Sequence, residues 1–140
     1  KRFWFFTLHT DHKGEQSQIE SCRLVLDRIK KMCHGERAVL TGDFNVGETS
    51  TCHSIICESG ILRDAYDSSP IRLTTTGTEN WFDPDIKTFR RIDHIFITPG
   101  FTPLRYGILT DTYRVPTDVP GKYRAHTPSD HFPVVVELAY

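Results

Sequence analysis

The strongest constraint on this chain's fold is a change of apolar period near its start. Arg2 to Leu8 is an aromatic and apolar run ending at His9-Thr10-Asp11-His12, which predicts a buried strand. From about Gln16 to Cys33 the apolar residues recur at steps of three and four: Ile19, Cys22, Val25, Leu26, Ile29 and Met32. That spacing puts them on one face of a helix, and Gly35 suits its stop. Ala38-Val39-Leu40-Thr41 is then a short buried strand ending at Gly42. Strand, helix and strand in this order make a βαβ unit, so the chain is of the α/β class.

Further along, a short helix is expected over Thr51 to Ser59, closed by Gly60, with Leu62 to Tyr66 as a connection. Residues 67–90 are rich in Ser, Thr, Gly, Asp and Pro and predict a loop-rich hairpin region, with Trp81 and Phe82 stranded in it. Ile92 to Thr98 and Leu104 to Thr112 read as strands. Residues 113–128, with Pro116, Pro120, Gly121 and Pro128, read as a surface loop. Phe132 to Leu138 closes the chain as a strand, where Pro133 is tolerable near the start. No repeat or linker divides the sequence. Its 140 residues, 38% hydrophobic and 25% charged, describe one domain with a real core.

Composition narrows function mainly by exclusion. No apolar run approaches the roughly 20 residues needed to cross a bilayer, so no membrane span is expected. A net charge of −1 removes the bulk electrostatic attraction typical of nucleic-acid binders, so any phosphate contact has to be local. Cys22, Cys33, Cys52 and Cys57 form no C-x-x-C pair, which disfavours structural zinc and predicts reduced thiols used as small apolar residues.

Chemistry concentrates where the apolar runs end. Gly42-Asp43-Phe44-Asn45 follows one strand directly: Asp43 could orient or deprotonate a water, Asn45 could hold a metal or a substrate oxygen, and Phe44 should point into the core. The same residue types are also common turn formers. In Arg91-Ile92-Asp93-His94-Ile95-Phe96-Ile97, strand alternation puts Asp93 on the side of Ile95 and Ile97, a costly place for a carboxylate unless a partner such as a histidine pairs with it. Ser129-Asp130-His131 precedes the last strand, with Asp130 a candidate metal ligand and His131 a candidate acid, base or phosphate contact. His9, Asp11 and His12 partly match a zinc-hydrolase pattern, but Thr7 stands where that pattern needs a histidine. His34, His53 and His126 read as surface residues, and Lys87, Arg90 and Arg91 as a solvated basic face.

Taken together, Thr7-Leu8-His9-Thr10-Asp11-His12, Leu40-Thr41-Gly42-Asp43-Phe44-Asn45, Arg91-Ile92-Asp93-His94 and Pro128-Ser129-Asp130-His131-Phe132-Pro133-Val134 resemble the endonuclease/exonuclease/phosphatase superfamily, in its order and over nearly the whole chain. The resemblance implies a DNase I-like four-layer α/β sandwich, with residues 1–140 as the C-terminal part of one such domain: a mixed sheet with flanking helices. It implies a metal-dependent phosphoesterase that hydrolyses a phosphate mono- or diester by Asp-activated water attack. Asp43 would activate the water, Asn45 would bind the phosphoryl oxygen or a metal, and His131, oriented by Asp93, would contact the scissile phosphate. His9 would be an additional active-site histidine. Asp130, Asp43 and Asn45 would hold Mg²⁺ or Mn²⁺, which suits oxygen donors. The substrate could be nucleic acid, phosphoinositide or another phosphoester. Because the family's first half would lie before Lys1, the expectation is low or no activity for this chain alone, with association to the missing half or to itself. The alternatives are a non-catalytic binding module on the same fold and a zinc hydrolase using His9, Asp11 and His12.

Overall fold

The computed structural model describes residues 2–140. Strand β1 (Trp4–His9) is followed by helix α1 (Glu15–Cys33) and strand β2 (Ala38–Asp43). Then come α2 (Thr51–Cys57), β3 (Arg63–Asp64), α3 (Ala65–Ser68) and β4 (Asp93–Ile97). Strands β5 (Thr102–Ile108), β6 (Tyr113–Pro116), β7 (Tyr123–His126) and β8 (Val134–Ala139) complete the chain.

A four-stranded sheet in the order β1-β2-β4-β3 is the central layer. β1 and β2 run parallel, joined by α1 as the βαβ reading requires; β4 runs antiparallel to both β2 and β3, so the sheet is mixed. Alternation along the strands gives each face its own core. Ala38, Leu40 and Phe96 pack under Cys22, Leu26 and Ile29 of α1 and Ile56 of α2. Val39, Ile95 and Ile97 face Tyr106, Ile108 and Phe132 on the side of the β5-β8 pair. Helices, mixed sheet and a second sheet therefore form three layers. Truncating a fully buried side chain such as Leu40 to alanine should cost about 2–5 kcal/mol.

Register matters most for the site. His9 lies opposite Asp43, and Asp43 lies opposite Asp93. Three neighbouring strands thus bring polar ends to one edge of the sheet. Gly42, at φ 149°, makes that possible, since a Cβ there would collide with the carbonyl oxygen of Leu8.

Several expectations need correction. β1 is not buried: it is the edge strand, and Phe5 is 62% exposed because no further strand covers it among the described residues. Met32 is exposed rather than part of the α1 stripe. The helix closes on His34 in the left-handed conformation, one residue before Gly35. Residues 113–128 are not simply a loop, because β6 and β7 pair across Pro116 and Tyr123. Residues 67–90 form no regular strand pair; the N–H groups of Gly77 and Thr78 bond to the carbonyls of Thr88 and Arg90 across the loop, and single bridges join Arg72 to Tyr106 and Glu79 to His131. The connection at 62–66 contains β3 and the start of α3, whose N-cap is Asp64. His53 and Arg91 are buried, not solvated. The four cysteines are free, as expected, and burial pushes the Cys22 thiol up to about 12.

Candidate active site

Asp43 is the centre of the polar edge. Its Oδ1 accepts the backbone N–H of Asn45 at 2.8 Å, an Asx turn that sets the direction of the carboxylate. Its Oδ2 is thereby turned toward two imidazoles: His9 Nε2 at 3.4 Å and His131 Nε2 at 4.0 Å. The other nitrogen of His131, Nδ1, lies 2.8 Å from Asp93 Oδ2. The carboxylate on the apolar side of β4 has the histidine partner that its position called for. Burial would lower the affinity of His131 for its proton, but the hydrogen bond and charge of Asp93 outweigh it, and the His131 pKa is raised.

Asn45 adopts a left-handed backbone, φ 53°. Its Nδ2 donates to the Thr10 carbonyl at 2.9 Å, which leaves Oδ1 as the acceptor it can offer a ligand. Phe44 is buried as expected and packs edge-on against Phe96. Asp130 is exposed, within 3.3 Å of the Ser129 hydroxyl, and its carboxylate is not among the converging groups.

Four residues that support this geometry, Thr10, Thr78, Asn80 and Trp81, carried no sequence signal that gave them this role. Thr10 bonds through its own N–H to the Asp43 carbonyl and through its hydroxyl to that of Phe44. Thr78 is fully buried; its hydroxyl oxygen accepts the N–H groups of Ile92 and Asp93, and its carbonyl accepts that of Phe132. One threonine therefore bonds to both sides of the Asp93–His131 pair. Asn80 and Trp81 donate their backbone N–H groups to the Asp130 carbonyl, at 2.6 and 3.1 Å. Only the Thr and Asn in an otherwise loop-like stretch could have hinted at this.

Two groups of side chains bring three ligand atoms within 4.8 Å of one another among the described residues: Asp43, Asp93 and His131, and His53, Asp64 and His94. In the first, partly buried at the sheet edge, His131 Nδ1 already takes Asp93 Oδ2 at 2.8 Å, which leaves the Asp43 carboxylate and the neighbouring Asn45 Oδ1 as the oxygen donors that suit a hard divalent cation. The second does not fit one. Arg91 Nη1 already lies 3.2 Å from Asp64 Oδ2, the oxygen that faces His53 Nε2 at 2.9 Å, and stacks on Tyr66 at 3.8 Å. Burial raises the Asp64 carboxyl, but the His53 hydrogen bond and the Arg91 charge outweigh it and hold it well below its ordinary value. His9, Asp11 and His12 form no third group: Asp11 accepts the N–H groups of Lys13 and Gly14 ahead of α1. The zinc alternative loses its ligand set.

Two clefts open beside the polar edge. One of about 530 Å³ lies over the second core and is lined by Phe3, Phe5, Ile95, Phe132 and Val136 near Asp43 and Asp93. The other, about 450 Å³, lies beyond Asn45 between residues 46–50 and Phe89 and Arg90.

Residues 5–131 match the model of the Endonuclease/Exonuclease/phosphatase family. The chain belongs to this family. Among solved structures, it is similar to a mannosyl-6-phosphatase from Bacteroides thetaiotaomicron, 47% identical, with a TM-score of 0.92 over 99% of this chain and 51% of that one. An endonuclease/exonuclease/phosphatase family protein from the same organism is also 47% identical, with a TM-score of 0.90 over 96% of this chain and 49% of that one. Sphingomyelinase C from Streptomyces griseocarneus, 18% identical with a TM-score of 0.62 over 97% of this chain and 53% of that one, shares the fold. No curated protein matches the chain. The chain spans about half the length of the solved family members it matches. Its layers and mixed sheet are those of part of the DNase I-like sandwich of this endonuclease/exonuclease/phosphatase family, and among the described residues no helix is long and apolar enough to cross a membrane.

Proposed function

We propose that this chain carries the C-terminal part, residues 1–140, of a divalent-metal-dependent phosphoesterase domain, and that the complete domain hydrolyses a sugar phosphate monoester. The observation that carries the reading is the register of His9, Asp43 and Asp93 across three strands, with His131 placed between the two carboxylates. Family membership supports phosphoester chemistry. The similarity to a mannosyl-6-phosphatase, and the net charge of −1, favour a small anionic monoester over a nucleic acid.

The geometry supports the following roles. Water attacks phosphorus in line and the P–O bond to the sugar breaks. The leaving alkoxide takes a proton from solvent, so that the alcohol and inorganic phosphate depart, while Asp43 returns its proton to water. Asp43 Oδ2 accepts a hydrogen bond from the attacking water and takes its proton. His131 donates from Nε2 to a phosphoryl oxygen, while Asp93 holds Nδ1–H and stabilises the imidazolium. His9, on the other side of Asp43 Oδ2, adds a second donor. Asn45 would present Oδ1 to the metal. Asp43 and Asn45 would hold Mg²⁺ or Mn²⁺, with Asp130 joining from its exposed loop. The ion would supply charge stabilisation for the transferring phosphoryl group.

Hydrolysis of mannose 6-phosphate and of a generic phosphodiester, each with Mg²⁺, Mn²⁺ or EDTA, tests this. Metal-dependent release of phosphate from the monoester, abolished in Asp43→Asn, is expected. Turnover of the diester alone would move the assignment to a nuclease or phosphodiesterase. A complete domain that binds sugar phosphate without turning it over would be a binding module on the same fold.

A further inference from the structure

We infer that His94 is a positioning residue for Asn45, acting through the carbonyl of Val46; its importance for turnover rests on the reading of Asn45 above. His94 sits on β4 beside Asp93, and alternation sends its side chain to the opposite face, into the helix-side core. There it is 2% exposed, edge-on to Phe44, stacked on Phe96 and beside the His53 ring, so packing restricts it to one ring orientation. Nε2 lies 2.9 Å from the Val46 carbonyl oxygen. A carbonyl only accepts, so Nε2 carries the hydrogen. Nδ1 turns toward Asp64 Oδ2 at 3.8 Å, beyond hydrogen-bond range, and that carboxylate is itself held by His53, Arg91 and the Tyr66 N–H.

The chemistry of the position explains why an imidazole matters. An apolar ring would fill this aromatic cage at lower desolvation cost. What the imidazole adds is a hydrogen bond from a buried ring to the segment directly after Asn45. That segment needs tethers, because Asn45 is held in the left-handed region, which Asn tolerates but does not hold by itself. The other tethers are the Asp43 Asx turn, the Thr10 carbonyl and a bond from the exposed Arg90 to the Asn45 carbonyl. Among the described residues, the His94 bond comes from a ring buried in the core and holds the far side of Asn45, as the buried Thr10 hydroxyl holds the Phe44 carbonyl on the near side. It links a residue next to Asp93 to a residue next to Asn45, so the two halves of the site share one support.

The test uses the complete domain with His94→Phe, which keeps the ring and removes the donor, and His94→Gln, which keeps a donor of similar reach. Kinetics on mannose 6-phosphate with Mg²⁺, thermal melts and amide hydrogen exchange at residues 45–47 are measured for each. The expected result is a folded His94→Phe with kcat down about ten- to a hundredfold, little change in KM and faster exchange at 45–47. His94→Gln should restore most of both. A folded His94→Phe with ordinary kcat and exchange overturns the inference. If His94→Phe does not fold, His94→Met removes the donor in a more adaptable side chain; failure of both to fold would assign His94 to the core alone. Asn45→Ala keeps the two readings apart. If it leaves turnover intact, the site assignment fails, while exchange at 45–47 still decides whether His94 holds the loop.

Discussion

His131 Nδ1 lies 2.8 Å from Asp93 Oδ2, although the two residues are 38 positions apart. The bond fixes which nitrogen of His131 faces Asp43 and raises the affinity of the ring for its proton. An orienting carboxylate of this kind sets both the tautomer and the direction of a working imidazole. Asp93→Asn keeps the shape but removes the charge, and should lower kcat about a hundredfold or more, with a melting temperature close to wild type. Steady-state kinetics with a parallel melt check this. Unchanged kcat would remove His131 from the reaction.

Asp43 and Asp93 are directly opposed on adjacent strands, and the single imidazole of His131 between them offsets only part of their combined charge, so a bound cation should stabilise this edge. Mg²⁺ should therefore raise the melting temperature of the complete domain and EDTA should reverse it. At a hundredfold excess over Kd, the stabilisation is about 2.7 kcal/mol. Asp43→Asn should melt at or above wild type without metal and respond little to Mg²⁺. A wild-type melt indifferent to Mg²⁺ and Mn²⁺ would speak against metal dependence.

The His53–Asp64 pair makes stability depend on pH in a stated direction. The Asp64 hydrogen bond raises the His53 pKa from 6.5 to about 9. A raised histidine contributes fully below 6.5 and loses that contribution as pH climbs through about 9. Asp64, held low, contributes above the ordinary 3.8 and loses it only as pH falls below that. Denaturant unfolding should thus show stability falling between pH 6.5 and 9, by up to about 3 kcal/mol. Asp64→Asn should cost about 3–5 kcal/mol, because it strands the buried Arg91. A flat profile in wild type would contradict the pairing.

Edge strand β1 leaves Phe5 exposed, and the 530 Å³ cleft beneath it is largely apolar. Residues 1–140 alone should self-associate through this open face and show little turnover. Sedimentation at tens of micromolar with and without Phe5→Lys decides it: the substitution should shift the chain toward monomer. A monomeric chain with ordinary activity would refute the part-domain proposal.

Trp81 and Phe82 are exposed, both at positive φ, and the Trp81 N–H is bonded to the Asp130 carbonyl. Through that bond their backbone lies against the loop that carries His131, and if Trp81 meets the leaving group its removal should act selectively. Trp81→Ala should change KM ratios between sugar phosphates by about threefold or more and leave the hydrolysis of p-nitrophenyl phosphate nearly unaltered. Equal effects on every substrate would exclude a selective role.

Local pattern made much of this legible. The period of Ile19, Cys22, Leu26 and Ile29 defined α1, and alternation around Asp93 called for a histidine partner that His131 supplies. His53 misled, because a histidine in a short helix carries no local mark of burial; its partner Asp64 sits in what reads as a plain connection. Phe5 misled in the opposite direction, since an aromatic run is the same whether or not a neighbouring strand covers it. Thr78 was silent, because its hydroxyl acts on backbone groups of Ile92 and Asp93, far along the chain.

By itself, then, the amino-acid order determined the longer elements, the inner face of α1 and the reactive groups at the strand ends, because period and residue chemistry act over a few positions. Tertiary structure alone decided that His9, Asp43 and Asp93 fall in one register and that His131 closes on them. It also decided that Asp64 gathers His53, His94 and Arg91 in the core behind. Strand pairing and buried charge both depend on partners distant in sequence, and only the folded chain chooses among those.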